Sequence, residues 1–131
     1  MPDTALSDLQ QLILALAYLH HLNDYRDEGT YPDVYAYEVL AVRWGFRTQE
    51  GHRLQVWERR TPTRPLFAKA HLGARYQAAR VITSKAFKRL HDRGLAQRGY
   101  YLDTEGHCSL GLALTPAGDV LASRALARFR L

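Results

Sequence analysis

Residues 78–98 read AARVITSKAFKRLHDRGLAQR, and the reading of this stretch decides the fold. At the angular step of an α-helix, Ala79, Thr83, Ala86, Phe87 and Leu90 share one face, and Gln77, Val81, Ser84, Lys85 and Lys88 share the opposite one. Arg93-Gly94-Leu95 stops the helix, with Gly94 as the residue that leaves it. Leu95–Leu102 then reads as a strand, for which Tyr100 and Tyr101 are suited. Asp103-Thr104-Glu105-Gly106 is a hairpin turn, and His107–Leu114 is the returning strand. Leu114-Thr115-Pro116-Ala117-Gly118 follows and opens a last helix that runs to about Phe129, with Pro116 in its first turn.

The two faces of the central helix predict different fates. Phe87, Leu90 and Leu95 are core. The opposite face has the size and the donors to enter a DNA major groove. On it, Arg80 and Lys85 can donate to guanine O6 and N7, Gln77 can pair with adenine, and Val81 can meet a thymine methyl. Arg75, Tyr76, Thr83, Ser84, Lys88 and Arg89 suit phosphate contacts. Arg89 and Arg93 suit surface salt bridges equally well. In the hairpin, His107 and Arg98 are the groups available to offset an acidic tip, Asp103 and Glu105, that repels phosphate.

Ser84-Lys85-Ala86-Phe87-Lys88-Arg89-Leu90, then Gly94-Leu95-Ala96, then Leu114-Thr115-Pro116-Ala117-Gly118 resemble the MarR-type winged-helix regulators. Recognition helices of that family commonly read S-R-A-L-x-R-L-x-x-x-G-L-V, and their wings commonly return into L-T-x-x-G and a helix. The resemblance covers about residues 79–120. It implies a winged helix-turn-helix that binds double-stranded DNA as a homodimer, and Thr83 stands where the family usually has valine. The family places about seven residues between the turn glycine and the serine of the recognition helix. Here Gly73 to Ser84 is eleven, so either the helix begins one turn early, near Arg75, or the turn is longer.

Upstream, Asp3 or Thr4 can cap a long first helix, and Ser7 with Gln10 offers a second capping box. Ala5, Leu9, Leu12, Leu16 and Leu19 form a helical stripe, with Leu6, Ile13, Leu14 and Leu22 beside it. So much apolar surface predicts packing on the chain's own domain and on a second subunit, with a helix end near Gly29. Tyr31-Pro32-Asp33 is a turn, and Val34 to Phe46 reads as a second helix. Leu54–Trp57 alternates like a short strand. Pro65 to about Leu72 reads as a third helix, the one before the turn at Gly73.

Charge is segregated. Residues 1–42 carry one basic and seven acidic side chains, whereas residues 43–98 carry fourteen Lys or Arg against three acids. A basic pole of this kind gathers polyanions through counterion release. One cysteine, Cys108, excludes an intrachain disulfide, and no basic-then-apolar leader opens the chain, so the cytoplasm is the expected location. No apolar run reaches membrane-spanning length. The histidines show no metal-ligand spacing and read as solvent-exposed. No phosphate loop, nucleophile elbow or cofactor fingerprint is present, so neither an enzyme nor a cofactor is expected. Cys108 reads more readily as a core residue than as an oxidant sensor. Tyr31, Tyr35, Tyr37, Trp44 and Phe46 read as core and interface, with a small-molecule effector pocket as the alternative that nothing else in the sequence supports.

These readings converge on a single domain over residues 1–131. It is expected to be mostly α-helical, with a long N-terminal helix and a two- to three-stranded antiparallel wing. Residues 4–28 and 118–131 are the expected dimerisation helices, and residues 65–114 the DNA-binding helix-turn-helix and wing. The expected function is sequence-specific binding of double-stranded DNA by a homodimeric, repressor-like regulator. The alternatives are a protein-interaction subunit of a larger assembly, and a low-specificity architectural or replication protein of a plasmid or virus.

Overall fold

In the computed structural model, the residues described are 5–23, 32–46, 72–102 and 108–129. They form, in chain order, α1 (Asp8–Asn23), β1 (Val34–Tyr35), α2 (Ala36–Trp44), α3 (Ala74–Asp92), β2 (Ala96–Leu102), β3 (Cys108–Leu114) and α4 (Pro116–Arg128). The described part is therefore mostly helical with one small antiparallel sheet, ordered β1-β3-β2. The expected strand at 54–57, the expected helix at 65–72 up to His71, the end of the first helix near Gly29 and the hairpin tip at 103–107 lie outside the described residues.

Ser7 caps α1, and Asp3 and Thr4 lie outside the described residues. The Ser7 hydroxyl accepts from Gln10 N at 3.1 Å, and Gln10 Oε1 accepts from Ser7 N at 3.0 Å, a reciprocal capping box. Leu12 to Ala17 are all buried, so this stretch of α1 is covered on every side. Most of that cover comes from α4. Arg128 on α4 ties the pair at its edge, reaching Gln11 Oε1 at 2.6 Å and Asp8 Oδ1 at 3.0 Å. The apolar surplus from which a second subunit was inferred is thus spent largely within the chain.

Val34 and Tyr35 do not begin a helix. They form β1, paired with Leu112 and Gly111 of β3. Asp33 fixes this edge from both sides: its N–H donates to Leu112 O at 2.9 Å, and its carboxylate accepts from Leu114 N at 2.7 Å. Only then does α2 start, with Tyr35 N–H donating to Glu38 Oε1 at 2.8 Å. Gly45, in the left-handed region at φ 71°, ends it. Glu38 is buried and meets the equally buried His20 of α1, whose Nε2 lies 2.5 Å from Glu38 Oε2. His20 is therefore a core group and not a solvent histidine, because a carboxylate on the facing helix is there to receive it.

α3 begins at Ala74, the early start allowed by the long spacing from Gly73 to Ser84. Its inner face is as the sequence predicts: Ala79, Thr83, Ala86, Phe87 and Leu90 are buried. Leu90, Phe87, Leu95 and Leu112 join the main core with α1 and α4, while Ala79 packs on a second cluster of Tyr35, Tyr37, Leu40, Ala41 and Phe46.

The two motifs that carry the family resemblance meet in space. At the end of α3, Leu95 N donates to Leu90 O and Gly94 N to His91 O, with Gly94 at φ 74°. This is a Schellman stop, and only glycine takes that backbone angle freely. Thr115 then caps α4: its hydroxyl accepts from Gly118 N at 3.1 Å and donates to Gly94 O at 2.7 Å. Thr115 N donates to Leu95 O at 3.1 Å. A Cβ on Gly118 would overlap that same Leu95 carbonyl. Gly94, Leu95, Thr115 and Gly118 thus form one latch that joins the end of α3 to the start of α4.

Candidate nucleic-acid interface

The crest of α3, opposite its buried face, carries Gln77, Ala78, Val81, Ile82, Lys85, Lys88 and Arg89, all exposed. Val81 is 51% exposed, so an apolar side chain stands at the most outward point of the helix. Lys85 and Arg89 make no ion pair among the described residues. Lys88 does: its Nζ lies 2.8 Å from Asp92 Oδ2, and this bond holds the Asp92 carboxyl below its ordinary pKa. Lys88 must therefore leave a partner before it can meet phosphate.

Other residues predicted for contact are placed differently. Arg75 donates from Nη2 to Trp44 O at 3.2 Å, and its guanidinium lies 5.4 Å from the centre of the Phe46 ring. It satisfies a carbonyl at the end of α2 and clamps the two helices together. Tyr76 is half-buried, edge-on to Phe46 with ring centres 5.5 Å apart. Arg80 lies over the Tyr76 ring at 5.9 Å. Tyr76, Arg80 and half-buried Ser84 follow one another at every fourth residue along a flank of α3, not along its crest. Thr83, also considered for phosphate, is fully buried. Arg98 is exposed on β2, and His107 lies outside the described residues.

That flank faces a groove of about 610 Å³. Tyr76, Arg80 and Ser84 line it together with Gln77 and Val81 of the crest. α2 contributes Ala36, Tyr37 and Leu40, and Leu72 lies before α3. The hairpin contributes Tyr100, Cys108, Ser109 and Leu110. None of these is acidic, and Arg80 is the cation among them. Tyr100 is 76% exposed. Cys108 is exposed rather than packed in the core, because it begins β3 at the end of the strand pairing, opposite Leu102.

The groove escaped the sequence reading because three separate elements build it. The one local signal was the spacing of Tyr76, Arg80 and Ser84. Of Tyr31, Tyr35, Tyr37, Trp44 and Phe46, expected in core and interface with a pocket as the alternative, three are core residues. Tyr35, Tyr37 and Phe46 are buried in the α2–α3 cluster, and of the four that are described Tyr37 alone lines the groove; Tyr31 lies outside the described residues. Among the described residues, no cluster of His, Cys, Asp or Glu could hold a metal ion, and no helix is long and apolar enough to cross a membrane. Comparison with protein-family models, with curated proteins and with solved structures finds no match.

Proposed function

We propose that the chain is a winged-helix protein that binds double-stranded DNA through the crest of α3. The observation that carries this reading is a helix whose Lys85 and Arg89 have no ion-pair partner among the described residues and whose Val81 faces outward, followed by a hairpin bearing Arg98. A helix of this kind fits a major groove with its side chains on base edges, while cations along its margin meet phosphate. Gln77, Val81 and Lys85 are the base-reading candidates. Arg89 and Arg98 are the phosphate candidates, and Arg80, turned to the flank, is a weaker base reader than its charge suggests.

A homodimeric, repressor-like regulator remains the preferred biological role. Its interface falls on the outward face of α4, where Val120 is 54% exposed, since Leu12 to Ala17 of α1 are already buried. The rival reading is a protein-interaction module, favoured by the gathering of exposed Leu72, Val81 and Tyr100 around one groove.

The deciding experiment is anisotropy binding to a randomised duplex pool at two salt concentrations, with sequencing of the retained DNA. The expected result is a steep salt slope that falls by about 1 in each of Lys85→Ala and Arg89→Ala. An enriched two-fold-related motif would mark a dimeric sequence reader, and a steep slope with no motif an architectural binder. Failure to bind at low salt would sink the proposal.

A further inference from the structure

We infer that the groove beside α3 binds unpaired nucleotides of a single-stranded nucleic acid, next to the crest that meets duplex. The inference rests on the reading of this side of the molecule as a nucleic-acid face. It does not rest on duplex sequence specificity.

Three observations carry it. The first is size. A concavity of about 610 Å³ lies within the ~300–1,000 Å³ range of small-ligand sites. A volume of this size is far too small to enclose a duplex, whose major groove alone admits a whole helix of ~10–12 Å. The second is surface chemistry. Tyr100 presents its ring to solvent at 76% exposure, and half-buried Tyr76, with Arg80 over its ring, lines the same concavity. Exposed aromatic rings are stacking platforms for bases, and every base offers a π-face. Gln77 and Ser84 supply hydrogen-bonding groups of both kinds for a base edge. The third is charge. Among the described residues, Arg80 lines the groove, no acidic side chain does so, and Lys85 of the crest and Arg98 of the hairpin have no ion-pair partner. An exposed aromatic ring beside cations is the arrangement that holds single strands without strong sequence preference. An acidic peptide would use the same cations but leave the exposed ring of Tyr100 without a matched partner, so the nucleotide is the better fit.

The test compares a labelled oligothymidylate of about 10 nucleotides with a duplex of random sequence. Both are titrated against the full chain and against Tyr100→Ala, Tyr100→Phe and Lys85→Ala. The side chain of Tyr100 is largely in water, so these variants keep the fold, which circular dichroism and melting would verify. The expected result is single-strand binding that Tyr100→Ala weakens at least about five-fold and Tyr100→Phe preserves, with duplex binding unchanged in both. Lys85→Ala should weaken the duplex more than the single strand. An equal loss of both ligands in Tyr100→Ala would make Tyr100 a duplex contact and overturn the inference. Duplex binding without single-strand binding would also overturn it while leaving the proposed function intact. Absence of both would end the nucleic-acid reading and leave the groove to a peptide.

Discussion

Thr83 lies on the inner face of α3, fully buried, with its hydroxyl making no hydrogen bond among the described residues. A buried hydroxyl without a partner forfeits its hydration and gets nothing back. Thr83→Val keeps the shape and removes the polar atom. It should raise the unfolding free energy by about 1 kcal/mol, read by urea denaturation, and a loss of stability would show that the hydroxyl is satisfied. Tyr101 poses a pH question. Burial raises its pKa above 10.0, and the nearby Asp33 carboxylate adds to the shift. The folded state thus favours the neutral phenol. Its contribution to stability is complete below the ordinary tyrosine pKa and disappears as pH rises through the raised folded value. Tyr101→Phe should therefore flatten the loss of stability between about pH 9 and about pH 11. An unchanged alkaline limb would place the sensitivity elsewhere.

At the scale of elements, glycine gives the sharpest contrast. Gly118→Ala drives a methyl group into the Leu95 carbonyl, which already accepts from Thr115 N and cannot retreat without breaking the latch. A cost of about 3 kcal/mol is expected. Gly99→Ala meets only the Tyr101 ring at 3.6 Å, an ordinary contact, and should change the melting temperature little. Equal effects from the two would mean that the latch is soft. The same comparison explains what could be read in the sequence. α3, the hairpin and α4 were legible because their signals are local: a helical period, a glycine stop, a threonine cap. β1 was not, since two residues have no period. Val34 and Tyr35 become a strand only because Leu112 and Gly111 arrive beside them. The burial of His20 depends in the same way on Glu38, and the groove on three elements at once. In the candidate site, the crest was legible and the flank was not. Arg75 and Arg80 have the right charge for DNA, but the sequence could not show Trp44, Phe46 and Tyr76 waiting to engage them.

For the whole molecule, charge and connectivity matter together. α3 carries Arg75, Arg80, Lys85, Lys88 and Arg89 against Asp92, whereas α1 carries Asp8 and no Lys or Arg. Approach of a polyanion is therefore steered towards one part of the surface. Connectivity sets a different asymmetry. The Thr115–Gly94 bond spans 21 residues, whereas Leu114 reaches 81 residues back to Asp33 and Arg128 reaches 117 back to Gln11. Closing a short loop costs less chain entropy than closing a long one, and contacts between near neighbours in sequence form faster. The latch consequently defines an order of assembly: α3, the hairpin and the start of α4 close first, and α1 and β1 are recruited onto that platform afterwards. Pulsed hydrogen exchange during refolding should show the Thr115 amide protected before the Asp33 amide. The reverse order would mean that the long-range strand pairing, not the latch, is where the chain begins to fold.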